Sequence, residues 1–149
     1  MGKWGPGILG NDDALDEMDA ILSICKIEWD DESECYPIKA HLLNEHQEAV
    51  AAYAKSCRVE NPVEVVYQVW AYLVMNHGAE MTPDMRKDFL QACDDDGQAV
   101  GYKERQEVID DLRSLIENYS GKPEVVEPGK PLLWYLYRLI QRGRPSAQA

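Results

Sequence analysis

The run VEVVYQVWAYLVMNH, residues 63–77, contains no glycine or proline and spreads apolar side chains over a wide arc, so any fold of this chain has to bury it. Its boundaries read as a helix. Asn61 and Glu64 stand at capping-box spacing, Pro62 takes the first helical position, and Gly78 follows the last periodic residue. The β-branched content also suits a strand, but length and capping decide for a helix, with Val65, Val66, Val69, Trp70, Leu73 and Val74 making it the expected centre of the molecule.

The rest of the chain supplies helices to pack around that centre. After Asn11, a good N-cap, Ala14, Leu15, Met18, Ile21, Leu22 and Cys25 follow helical spacing, with Asp16, Glu17 and Asp19 expected on the opposite side. Asp12 and Asp13 suit the positive end of this helix dipole, each by roughly 0.3–1 kcal/mol when exposed. WDDESECYP, residues 29–37, has no periodicity and reads as a loop. A second helix is expected from Ile38 to Cys57 on the stripe Ile38, Leu42, Ala49, Val50, Tyr53 and Cys57. Thr82 and Pro83 open another that ends before Asp94, and a further one runs from Lys103 to Tyr119 on Val108, Ile109, Leu112, Leu115 and Ile116, with Gly121 beyond it. GKPEVVEPGKP is a connector, and Pro131 to Arg142 forms the last helix, stopped by Gly143 and Pro145. No repeat of fixed period appears. The expected architecture is therefore all-α, a single domain over residues 1–145, built as an orthogonal bundle of about six helices. Residues 1–11 form a Gly/Trp-rich N-terminal arm and residues 146–149 a frayed tail.

At 149 residues, one domain hides roughly 70% of the surface of the unfolded chain, enough for a real core. No run of apolar residues is long enough to cross a bilayer, since LLWYLYRLI is short and broken by Arg138. The opening residues lack the pattern of a signal peptide, because Pro6, Gly7 and Gly10 cut the apolar stretch and Asp12 and Asp13 follow. Cys25, Cys35, Cys57 and Cys93 have no close pairs of the kind zinc or redox sites use, so they read as reduced thiols and the chain as cytoplasmic.

Charge is the most distinctive bulk property: 15 Lys and Arg against 27 Asp and Glu give a net charge of −12. That excess opposes direct binding to nucleic acid and to membranes. Between Asp12 and Glu34 there are ten carboxylates and only Lys26, whereas residues 130–149 carry Lys130, Arg138, Arg142 and Arg144 and no acid.

The motifs that suggest chemistry fail on detail. The glycines at the start invite a phosphate loop, but no Lys-Ser/Thr pair follows and Asp12 and Asp13 occupy the place of the phosphate charge. They suit instead an arm in which Trp4 fills a pocket while Gly5, Gly7 and Gly10 let the backbone turn or approach closely. The pattern Met1-Gly2-x-Trp4-Gly5-x-Gly7-Ile8-Leu9-x-Asn11-Asp12-x-Ala14-x-Asp16 resembles the opening signature of a bacterial family of small proteins classed as a domain of unknown function, whose members begin with Trp-Gly-x-Gly and Asn-Asp-x-Ala. The resemblance covers about the first 20 residues, marks Trp4, Gly5, Gly7, Asn11, Asp12 and Ala14 as a structural signature, and implies no activity.

Asp94, Asp95, Asp96 and Gly97 suggest a calcium loop, but aligning Gly97 with the turn glycine puts Ala92 at the first ligand position and Lys103 at the closing one, so a solvated acidic turn is expected. His41 and His46 lie about 140° apart around a helix and share no face; His41 and Glu45 have the spacing of a surface pair, and His77 suits the negative end of its helix. No nucleophile signature is present, and neither catalytic residues, metal ligands nor a cofactor are nominated.

Three functional classes follow. The first is a noncatalytic acidic binding module, such as an immunity or inhibitor protein, that neutralises a basic or nucleic-acid-binding partner through Asp30, Asp31, Glu32 and Glu34 together with Asp16 and Asp19. The second is a small hydrolase or metal-dependent enzyme. The third is a self-assembling subunit, a homo-oligomer joined through Trp134, Tyr135, Arg138 and Arg142 of the last helix. The first is the reading best matched to the charge.

Overall fold

The computed structural model describes residues 12–56 and 63–123. Within them the chain forms six α-helices: α1 Asp12–Ile24, α2 Ala40–Glu45, α3 Gln47–Ser56, α4 Val63–His77, α5 Pro83–Asp94 and α6 Lys103–Asn118. A short 3-10 turn, Gly97–Ala99, joins α5 to α6, and the only β feature among these residues is an isolated antiparallel bridge between Asp30 and Cys35. The molecule is all-α, as the periodicity requires. The N-terminal arm with Trp4, Gly5, Gly7 and Asn11, and the segment with Trp134, Tyr135, Arg138 and Arg142, lie outside the described residues, as do Cys57 and the Asn61–Pro62 cap.

Helix α4 is the centre. From Gln68 to His77 every side chain is buried, and the helix packs against α1, α2, α3 and α5. A helix enclosed on all sides needs apolar residues all round, which is what the valines, Trp70 and Leu73 supply. Trp70 meets Phe89 of α5 edge to face at 5.2 Å and stacks beside Tyr67, contacts that add roughly 0.5–1.5 kcal/mol per pair to simple burial. His77 is the last residue of α4, at the negative end of the helix, and is buried in the core.

Two helix ends share one device. After α4, Gly78 adopts φ +72° and Ala79 N–H donates to Val74 O at 2.9 Å; after α1, Lys26 adopts φ +61°, its N–H donates to Ser23 O, and Ile27 N–H donates to Leu22 O at 2.9 Å. Both satisfy carbonyls that a helix terminus leaves open. Ile27 and Ala79 are then buried just past the stop, which fixes the exit of each chain segment.

The expected single helix over residues 38–57 is two helices, broken at His46 (φ −109°, ψ 17°). The break has a visible cause. Asn44 Oδ1 accepts from Glu80 N–H at 2.6 Å and Gln47 Nε2 donates to Glu80 O at 3.1 Å, so side chains on both sides of the kink hold the backbone of one residue of the α4–α5 loop from its N–H and its C=O. The buried face is correspondingly different: Leu43, Val50 and Ala54 point inward, while Ala49 is exposed.

Helix α5 begins where Thr82 and Pro83 place it, with the Thr82 hydroxyl accepting from Met85 N–H at 3.2 Å. Helix α6 turns Ile109, Leu112 and Ile116 toward α5. Its C-terminal end is fastened by Arg86 of α5, which donates to Ile116 O and to Tyr119 O, while the Tyr119 hydroxyl donates to Ala79 O at 2.6 Å.

Candidate functional site

The site is built on the segment that follows α1. Once Lys26 has ended the helix and Ile27 is buried, the chain runs outward through Glu28 and Trp29 into a tight turn. Asp30 N–H donates to Cys35 O at 2.9 Å and Cys35 N–H donates back at 3.3 Å, which closes the turn at its base. Inside it, the Ser33 hydroxyl donates to Asp30 Oδ2 at 2.7 Å and Glu32 N–H donates to Asp30 Oδ1 at 3.1 Å. These bonds favour the charged carboxylate, the Ser33 hydroxyl most, and hold Asp30 below the usual carboxylate pKa. Glu34 completes the turn at φ +53°, a backbone region that L-residues enter at some cost.

Asp31, Glu32 and Glu34 are exposed on this turn. Asp30 has a different place from the other three: both its carboxylate oxygens are engaged in holding the turn. The turn is tied to α1 by Tyr36, whose hydroxyl donates to Asp19 Oδ1 at 3.0 Å. Partial burial pushes the Tyr36 pKa up, and the Asp19 carboxylate adds to the shift through the hydrogen bond and its charge. Asp16 is exposed one helical turn before Asp19 and has no tie to the turn of its own. Trp29 stands on the flank, 39% exposed, edge to face with Tyr36 at a centroid distance of 5.2 Å.

The structure thus brings Asp19 together with the residue 30–35 turn and leaves its acids pointing to solvent. Among the described residues, no group of three or more His, Cys, Asp or Glu side chains is arranged to hold a metal ion, and no helix is long and apolar enough to cross a membrane. His41 and Glu45 are both exposed and form no ion pair.

Two acids expected at the surface are inside. Glu17 is 1% exposed and accepts from the Tyr53 hydroxyl of α3 at 2.6 Å. Its position three after Ala14 and four before Ile21 lies on the apolar stripe, so the periodicity itself held the signal. Asp96 departs further from the expected solvated turn. It is 6% exposed, with Arg105 Nη2 at 2.8 Å, Gln68 Nε2 at 2.8 Å and Ala99 N–H at 2.8 Å. Arg105 Nη2 also donates to Gln68 Oε1 at 2.7 Å, so α4, α6 and the 3-10 turn meet at one buried polar knot. Burial works to raise the Asp96 pKa, but Arg105, Gln68 and Ala99 N–H prevail and hold it below the ordinary value. Arg105 was the available clue: a cation at an i−4 position to Ile109 falls on the buried face of α6 and needs a partner.

Cys25, Cys35 and Cys93 are buried free thiols, and burial pushes Cys25 and Cys93 up to about 11. Neither has the lowered pKa of a nucleophile. In the comparisons with known proteins, no family model, no curated protein and no solved structure matches the chain.

Proposed function

We propose that the chain is a noncatalytic binding protein that engages a basic surface of a partner protein, in the manner of an inhibitor or immunity protein acting on a nucleic-acid-binding target. One observation carries the reading: Asp31, Glu32 and Glu34 are exposed on a turn whose shape is fixed by internal hydrogen bonds and by the Tyr36–Asp19 link. A backbone turn already fixed in shape presents its charges with less ordering cost on binding, and like-signed acids around it raise the encounter rate with a cation-rich surface. Asp16 and Asp19 extend the field along α1; Asp30 supports it by holding the turn.

The test is capture of a partner of high isoelectric point at low salt, followed by association kinetics. Replacing Asp31, Glu32 and Glu34 by Asn, Gln and Gln, with Asp30 kept, slows association by about tenfold at low ionic strength and flattens its salt dependence. An association rate that is unchanged by this triple substitution removes the reading. Recovery of the chain alone, as a complex with itself, transfers support to self-assembly.

A further inference from the structure

We infer that Trp29 is the arginine-reading residue of this docking surface, its partly exposed indole stacking on a guanidinium of the basic partner while the neighbouring carboxylates take the charge. The inference rests on the docking role proposed above and specifies what that surface recognises. Among the described residues only Trp29 and Val100 are large hydrophobic side chains left exposed. Trp29 alone directly adjoins the acidic turn: it precedes Asp30, and its ring is set edge to face on Tyr36 at 5.2 Å with an interplanar angle of 80°. That contact steadies the indole, and Tyr36 is itself anchored to Asp19 by the 3.0 Å hydrogen bond.

The chemistry of the occupant follows from the two parts of the patch. Clustered carboxylates attract any cation. An aromatic face beside them discriminates among cations, because tryptophan is the strongest cation–π platform and a guanidinium is planar, weakly hydrated and able to stack, whereas an ammonium is compact and holds its water. Tryptophan is also over-represented among the residues that dominate protein interfaces. An arginine-rich segment therefore fits the patch better than a lysine-rich one of equal charge.

The experiment is calorimetric titration of the full chain, at low ionic strength, with hexa-arginine and with hexa-lysine peptides. The wild type binds both in a salt-dependent way and prefers hexa-arginine. Trp29→Ala, which alters no charge, weakens hexa-arginine about threefold, the scale of an exposed cation–π contact, and weakens hexa-lysine less. Trp29→Phe loses less than Trp29→Ala. If Trp29→Ala unfolds the chain, Trp29→Leu keeps apolar bulk without the π face and serves the same comparison. Unchanged hexa-arginine affinity in the folded variant, with salt dependence intact, overturns the role of Trp29 and leaves the acidic docking surface standing. Absence of salt-dependent binding of either peptide to the wild type removes both.

Discussion

Nη2 of Arg105 lies 2.8 Å from Oδ2 of Asp96, with the two side chains 1% and 4% exposed. A pair this deeply buried gains little over an apolar pair of the same shape, but breaking it strands an uncompensated charge in the core. Asp96→Ala is expected to lower the unfolding free energy by about 3–5 kcal/mol, read as the urea midpoint at constant m. The double substitution Asp96→Leu with Arg105→Met recovers part of that loss, because neither charge then remains, while Gln68 and Ala99 N–H lose their partners.

The same pair sets a pH response. The folded pKa of Asp96 is depressed, so its contribution to stability is complete above the unfolded value, near 3.9, and is lost as pH falls through the folded value. The stability difference between wild type and Asp96→Asn therefore shrinks as pH is lowered from about 5 toward 2. Urea midpoints of both proteins across that range measure it; a difference that is constant or growing in acid would contradict the assignment.

The two left-handed helix stops predict opposite outcomes. Gly78→Ala places a Cβ 2.9 Å from the Pro123 ring at φ +72°, and should cost upwards of about 1 kcal/mol. Lys26→Gly removes the strain of a side chain at φ +61° and is expected to stabilise by roughly 0.5–1 kcal/mol, despite the added freedom of the unfolded chain. Gly97→Ala, where a Cβ meets nothing within 4 Å and φ is not positive, is the neutral control. Thermal midpoints of the three variants give the comparison.

Thiol reactivity follows from burial. With Cys25 and Cys93 pushed up to about 11, the native protein at pH 8 carries almost no thiolate at either position. Iodoacetamide labelling mapped by mass spectrometry should leave both unmodified in the native state and modify both in urea.

Helices α4, α5 and α6 were legible because their signals are local: a proline at a helix start, a glycine at a helix stop, a repeating apolar stripe. The division of residues 40–56 was not, since it depends on Glu80, more than 30 residues away, presenting its backbone N–H and C=O to Asn44 and Gln47. The acidic turn could be recognised as a loop, but its bridge from Asp30 to Cys35 and its tie to Asp19 are tertiary facts that no periodicity records. Charge counting treated every carboxylate alike. It therefore placed Glu17 and Asp96 in solvent, where the helical stripe and the cation at Arg105 argued otherwise.

The grip of Asn44 and Gln47 on the backbone of Glu80 makes the loop before α5 a gauge for the bend between α2 and α3. Inserting one residue between Gly78 and Thr82 is expected to displace the Glu80 backbone from Asn44 and Gln47 and so to loosen the bend between the two helices. The length of that loop is thereby coupled to the angle between two helices whose junction lies more than 30 residues before it in the chain.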